Sequence, residues 1–391
     1  MNRTHVQQGY AIARHHRAHL LEVVLAFMKK NLVMMIALAA ALATALIVPP
    51  DAEYLTYFDF KTLTCLFCVL AVVCALKNMR FFYMLAHKVV QLFKTARLSV
   101  LALTYITFIG SMLIANDMAL LTFLPLGYFV LSSTGKKKYM AFTFIMQNIA
   151  ANLGGMLTPF GNPQNLYLYT KFNIPTGEFM LTMLPPFAIS VALITLCCFI
   201  FVKKESLEIS EEKIVLPAWR TIVYGLLFAL SIVIVFRVIP FWIGLIVIPI
   251  ALLFLDRKAL AKVDYGLLLT FVAFFIFSGN MSRIDVVEKA FGYLMDKNAL
   301  LVSTLSCQVI SNVPSAILLS QFTANWKPLL LGVNIGGVGT LISSLASLIT
   351  FREYLSHEKD GAKKYLLLFS AFNFAFLLLL LGACVLLLLF L

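Results

Sequence analysis

Along this chain the apolar residues come in unbroken runs of membrane length, with polar residues clustered in short stretches between them. A helix needs about 20 mostly apolar residues to cross a bilayer. Runs at 31–49, 61–77, 179–202, 221–239, 241–255, 265–280 and 365–391 predict full spans. Residues 139–172 and 327–351 are also long enough, but carry Gly- and Asn-rich breaks in their middles. Residues 98–131 and 299–325 each bear an Asn near the centre, and a re-entrant helical hairpin turning back at that Asn fits better than one very long span. Residues 80–97 and 282–297 mix charge with apolar positions at helical spacing and predict interfacial helices; 18–30 reads as a similar lead-in. The expectation is an all-α polytopic membrane protein with about nine spans and two hairpins.

The same landmarks occur twice, in the same order. Residues 152–158 read N-L-G-G-M-L-T and 334–340 read N-I-G-G-V-G-T. Upstream of each lies a second break with an Asn at its tip, I-A-N-D at 114–117 and I-S-N-V-P at 310–314. A third echo pairs Asp59, Phe60, Asn78 and Met79 with Asp264, Tyr265, Asn280 and Met281. The chain therefore reads as a duplicated unit: a basic segment 1–30, a first repeat 31–202, a hydrophilic linker 203–220 and a second repeat 221–391. Polar breaks at matching places in two halves point to the substrate site of a secondary transporter.

Charge sets the orientation. With the N-terminus inside, the inner segments hold 24 of the 31 Lys and Arg residues, including Lys136, Lys137 and Lys138, and the outer segments keep Lys61, Lys171, Arg237, Arg283, Lys289, Lys297 and Lys327. The first hairpin then enters from the cytoplasm and the second from outside, so the repeats are inverted. Composition agrees with a membrane setting: 61% of residues are hydrophobic and 13% charged, against about 45–50% and ~25% in soluble domains. The net charge of +13 sits in short loops and not in a nucleic-acid-binding stripe. Cys65 and Cys68 have metal-like spacing without a second pair or a His, and read as apolar filler. The six histidines lie in terminal or loop-side segments, and S-T-G-K-K-K at 133–138 lacks phosphate-loop spacing. No enzyme, no cofactor and no metal centre is expected, and the energy source is an ion gradient or a partner subunit.

The breaks carry the chemistry. Lipid satisfies no backbone N–H or C=O group, so a broken helix survives only where protein or a watery cavity supplies partners. The expected substrate-binding set is Asn116, Asn152, Gly154, Thr158, Asn162 and Asn165 around the first break. Around the second it is Ser311, Asn312, Asn334, Gly336, Thr340, Ser343 and Ser344. Glycines let the backbone leave helical angles and approach a ligand, and half-helix N-termini present N–H groups to an anion. Unwound carbonyls with Asn oxygens are a setting for a coupling cation, for which Asp117, Asn116, Asn152, Asn312 and Asn334 are the expected ligands. Asp117 is the one acidic residue placed well inside the membrane; it reads as a cation ligand or proton carrier, or as a cap of the helix that resumes at Met118. Gln147, Asn148, Asn173 and Thr350 read as ordinary polar contacts.

On A-N-D-M-A-L-L-T-F-L-P (115–125), N-L-G-G-M-L-T-P-F-G-N-P-Q-N (152–165), S-N-V-P-S-A (311–316) and N-I-G-G-V-G-T-L-I-S-S-L-A (334–346), the chain resembles the citrate transporter-like permeases of the Ion Transporter superfamily. That group includes divalent anion:sodium symporters and arsenite permeases. The resemblance implies two inverted repeats, an elevator motion of the hairpins and broken helices, and a homodimer. Its dicarboxylate symporters carry Ser-Asn-Thr at both tips, where this chain has Ala115–Asn116–Asp117 and Ser311–Asn312–Val313; these tips look more like the arsenite and citrate branches. The expected function is a secondary active transporter in the cytoplasmic membrane. It moves a small carboxylate or oxyanion, coupled to Na⁺ or H⁺; a Na⁺/H⁺ antiporter is the alternative. A channel or membrane scaffold sharing the fold is the competing class.

Overall fold

The computed structural model of the protein describes residues 32–207 and 216–389. The lead-in at 18–30 and the middle of the linker lie outside the described residues. In chain order the helices are α1 (Leu32–Ile47), α2 (Phe60–Asn78), α3 (Phe81–Gln91), α4 (Ala96–Ile114), α5 (Asn116–Ser133), α6 (Met140–Gly154), α7 (Pro163–Lys171) and α8 (Thr176–Phe201). After the linker come α9 (Ala218–Val235), α10 (Phe241–Leu255), α11 (Arg257–Ala261), α12 (Tyr265–Ser282), α13 (Asp285–Ile310), α14 (Asn312–Leu319), α15 (Trp326–Ile335), α16 (Leu345–His357) and α17 (Ala362–Leu389). Among the described residues there is no strand, only one isolated antiparallel bridge between Thr95 and Ser206. The protein is an all-α polytopic membrane protein, as the apolar runs predict.

Among the described residues, six segments are long and apolar enough to cross a bilayer: Phe60–Asn78, Ala96–Ile114, Thr176–Phe201, Ala218–Val235, Tyr265–Ser282 and Lys359–Leu389. Large apolar side chains stand exposed along many of the helices, among them Leu181, Ile222, Phe254 and Leu367 at 63–78%. Such surface is stable only against lipid or another protein.

The chain divides into two compact units. One joins Met1–Phe58 to Asp264–Met281, and within it Asn280 Nδ2 donates to Thr44 Oγ1 at 3.3 Å. The other holds Asp59–Val263 and Ser282–Leu391, and with them both hairpins and both broken helices. In that second unit α4 and α5 form the first hairpin, packed on α6 and, through α5, on α16. The second hairpin, the end of α13 with α14, packs on α15 and, through α14, on α7. Each hairpin therefore rests on the first half of its own broken helix and the second half of the other.

Two boundaries differ from the sequence reading in an informative way. The interfacial segment and the hairpin arm of the second half run on as one helix, α13, interrupted by non-helical Asn298 (φ −161°, ψ 82°). Asn298 Oδ1 accepts from Leu301 N–H at 2.9 Å, so the arm starts with its own cap. The hairpins are also unequal: α5 returns over 18 residues, α14 over only 8.

A clasp closes one end of the second unit. Glu205 takes Lys136 Nζ at 2.8 Å, Lys138 Nζ at 2.6 Å and Tyr139 OH at 3.0 Å. Its carbonyl accepts Ala96 N–H, Leu207 N–H donates to Lys94, and Arg97 Nε donates to Val202 at 2.7 Å. The two lysines and the tyrosine hold the Glu205 carboxyl down at about 2, and Glu205 in turn raises Lys138. At the C-terminal end of α7, Arg237 lies 3.8 Å from the centre of the Tyr169 ring and donates to Asn173 Oδ1, while Lys171 reaches Gln321.

Candidate functional site

Each hairpin turns at the residue before its Asn, not at the Asn. Ala115 (φ 65°, ψ 153°) and Ser311 (φ 74°, ψ 160°) occupy the same left-handed region, sparsely populated for residues with a Cβ. The Asn that follows opens the return helix, its Oδ1 accepting the next N–H: Asn116 from Asp117 and Asn312 from Val313, both at 2.9 Å. At the start of α5 the N-cap position is Ala115, which has no capping side chain. Asp117 is half-buried in the first turn of α5, where the helix dipole favours a carboxylate.

The breaks repeat this matching. In the first half α6 stops at Gly154 and α7 starts at Pro163; in the second α15 stops at Ile335 and α16 starts at Leu345. Thr158 Oγ1 donates to the carbonyl of Met112 at 2.9 Å, and Thr340 Oγ1 to that of Gln308 at 3.0 Å. Both acceptors stand four residues before a hairpin Asn. The second loop is tied further: Asn312 N–H donates to Ser343 O at 3.0 Å, and Ser343 Oγ lies 2.9 Å from Gly337 O and 2.8 Å from Thr340 O. Ser311 Oγ lies 3.4 Å from the Ser343 carbonyl, and Ser344 caps α16, accepting from Ala346 N–H.

Asparagines gather where the four interruptions meet. Asn116 Nδ2 donates to Asn152 Oδ1 at 3.4 Å, Asn162 Nδ2 to Asn152 O at 3.3 Å, and Asn334 Nδ2 to Asn165 Oδ1 at 2.6 Å. A Cβ at Gly337 would lie 3.2 Å from Asn312 Nδ2 and 3.4 Å from Asn152 Oδ1. All six of these asparagines are buried. Asn162 Oδ1, Gln164 Oε1, Asn334 Oδ1 and Ser347 Oγ are buried there without a hydrogen-bond partner. Among the described residues the fully buried polar set is amide, hydroxyl and His87; no Lys, Arg, Asp or Glu belongs to it.

Two of the expected site glycines have close neighbours where a side chain would stand. A Cβ at Gly154 would lie 2.6 Å from Ser111 Oγ and overlap the Phe108 carbonyl; one at Gly336 would lie 2.9 Å from Cys307 Sγ. Gln147 donates to Thr107 on α4, and Thr350 to Ala346 in its own helix.

One residue escaped the sequence reading. The Gln308 amide reaches the second loop from α13, its Nε2 donating to Gly336 O at 2.9 Å and Val338 O at 3.2 Å and its Oε1 accepting from Thr340 N–H at 2.9 Å. Gly339 (φ 127°) lets the loop pass, since a Cβ there would collide with that oxygen. The available signal was a lone amide four residues before Asn312.

The citrate transporter family profile matches residues 21–331. The chain belongs to the citrate transporter family. The profile covers both hairpin tips and the first break, and ends three residues before Asn334. An uncharacterized transporter of Methanocaldococcus jannaschii is 34% identical over 311 residues, 79% of this chain and 85% of that protein. The inner membrane protein YbiR of Escherichia coli is 29% identical over 287 residues, 70% of this chain and 74% of that protein. This citrate transporter family member is a multi-pass membrane transporter.

Proposed function

We propose that the chain is an ion-coupled carrier of a small anion, a carboxylate or an oxyanion, working by alternating access between two inverted repeats. The single observation that carries this reading is the convergence of hairpin and loop asparagines from both halves, without a basic side chain in the buried set. A fixed positive charge in a low-dielectric site would hold an anion too tightly and would be costly in an empty carrier. Helix N-termini at Asn116 and Asn312 supply a weaker, reversible attraction. The matched tip angles and matched Thr-to-carbonyl bonds support equivalent roles for the halves. The unpartnered amide oxygens of Asn162, Gln164 and Asn334 support a bound species, since buried acceptors are seldom left empty. Coupling falls to Na⁺ or H⁺, with Asp117 and the asparagines 116, 152, 312 and 334 as its residues. By analogy with the family, hairpins and broken helices move as one body in a homodimer, with the N-terminus in the cytoplasm.

The test is uptake into proteoliposomes of purified protein, with carboxylates, phosphate, sulfate and arsenite each offered under an imposed Na⁺ or H⁺ gradient. Saturable, gradient-driven accumulation of one anion class is expected. Unsaturable flux would indicate a channel, and Na⁺/H⁺ exchange at full rate without any anion would indicate the antiporter.

A further inference from the structure

Three backbone carbonyls converge on one amide nitrogen in each half of the protein. In the first, Asn165 Nδ2 lies 3.1 Å from Gly155 O, 3.3 Å from Met156 O and 3.3 Å from Thr158 O. In the second, Gln308 Nε2 lies 2.9 Å from Gly336 O, 3.2 Å from Val338 O and 3.2 Å from Thr304 O. An amide group has two hydrogens to donate, so each cluster offers more acceptors than its donor can fill. Three inward-facing carbonyls around one positively polarised centre form the kind of oxygen set that a monovalent cation takes in an unwound transporter helix.

We infer that the carboxamides of Asn165 and Gln308 are built-in stand-ins for a cation, filling the carbonyl cluster at each break so that the loops keep their shape without Na⁺. The inference rests on the carrier reading and deepens its coupling step. The two amides reach their clusters by different routes. Asn165 comes from α7, beyond its own break, whereas Gln308 comes from the hairpin arm α13. Similar clusters filled from different elements point to the cluster as the common requirement. A carboxamide engages the cluster while carrying no net charge, so an unloaded transporter has no unpaired ion to desolvate at these loops. Gln308 acts through Gly336 and Thr340, the loop residues it holds; it is a positioning residue.

Removing the amide should turn the cluster into a cation site. Wild-type protein and Gln308→Ala are purified without substrate, and thermal unfolding is followed in NaCl and in choline chloride at equal ionic strength. Stabilisation by Na⁺ over choline should be greater in Gln308→Ala than in wild type by about 2 °C or more. An equal Na⁺ effect in both proteins, including none in either, overturns the inference. Should Gln308→Ala not fold in either salt, Gln308→Glu takes its place in the same comparison. It keeps an acceptor for Thr340 N–H but turns a carboxylate oxygen towards the carbonyls, so its Na⁺ effect must exceed that of wild type. The comparison reads cation binding alone, and its failure leaves the carrier reading to be decided by uptake.

Discussion

Asn165 Oδ1 accepts a 2.6 Å hydrogen bond from Asn334 Nδ2, 169 residues further along the chain. It joins the two broken helices directly, and both side chains are buried. Breaking it strands a buried amide, at a cost of about 1–3 kcal/mol. Asn165→Ala should cost more than Asn334→Ala, because Asn165 also serves three carbonyls. The double variant should fall short of the sum by about 0.5–3 kcal/mol. Denaturant unfolding in detergent measures all three, and simple additivity would mean that the two residues do not interact.

Asp117 separates a chemical role from a structural one. Asparagine is almost as good as aspartate near a helix start, so Asp117→Asn should leave folding and insertion intact. If the carboxylate binds the coupling ion or carries the proton, the variant should lose gradient-driven uptake or move its substrate uncoupled from the ion. Wild-type coupling in proteoliposomes would remove Asp117 from the mechanism.

The hairpin tips store backbone strain. A residue with a Cβ in this region costs on the order of 1–3 kcal/mol, and glycine gives back roughly 0.5–1 kcal/mol through its looser unfolded chain. Ala115→Gly and Ser311→Gly should therefore stabilise the protein by about 1 kcal/mol each, while Ala115→Val should destabilise it. A stability loss in both glycine variants would show that the tips are relaxed.

Glu205 predicts an acid dependence. Its carboxyl titrates at about 2 in the folded protein against an ordinary 4.5, so the unfolded chain binds its proton first as pH falls. The stability it contributes is complete above about pH 4.5 and disappears as pH falls towards about 2. The Tm difference between wild type and Glu205→Gln should be flat from pH 7 to 5 and then narrow. A difference that widens on acidification would reverse the assigned sign.

Orientation is open to labelling. With all seven native cysteines replaced, Lys137→Cys should react with an impermeant maleimide only from the cytoplasmic side. Asn325→Cys should react only from outside. Labelling of both from one side would remove the inverted arrangement.

Helices were legible because bilayer burial asks only for length and apolarity: the run at 241–255 coincides with Phe241–Leu255. The breaks were legible because an Asn or Gly in such a run has no reason to be there without a partner. The turn at Ala115 and Ser311 was not, since neither residue type announces a left-handed angle. Gln308 was missed for a different reason. Its role depends on which loop packs beside α13, and spacing along the chain does not contain that contact. Gly154 and Gly336 matched the expected motif, yet their smallness is used by a neighbouring helix.

The clasp at Glu205 also bears on the order in which the protein is made. Its partners Lys94, Ala96, Arg97, Lys136, Lys138 and Tyr139 all precede it, and Leu207 completes it. Every part of the clasp is therefore synthesised before the second repeat begins at residue 221. The first hairpin can be locked to the end of α8 during synthesis, while Asn165 Oδ1 has no Asn334 to meet until some 130 more residues have been added. Truncation after the linker should thus leave the ion pairs at Glu205 formed and the first break unsealed, a nascent intermediate with its Asn165 oxygen still waiting.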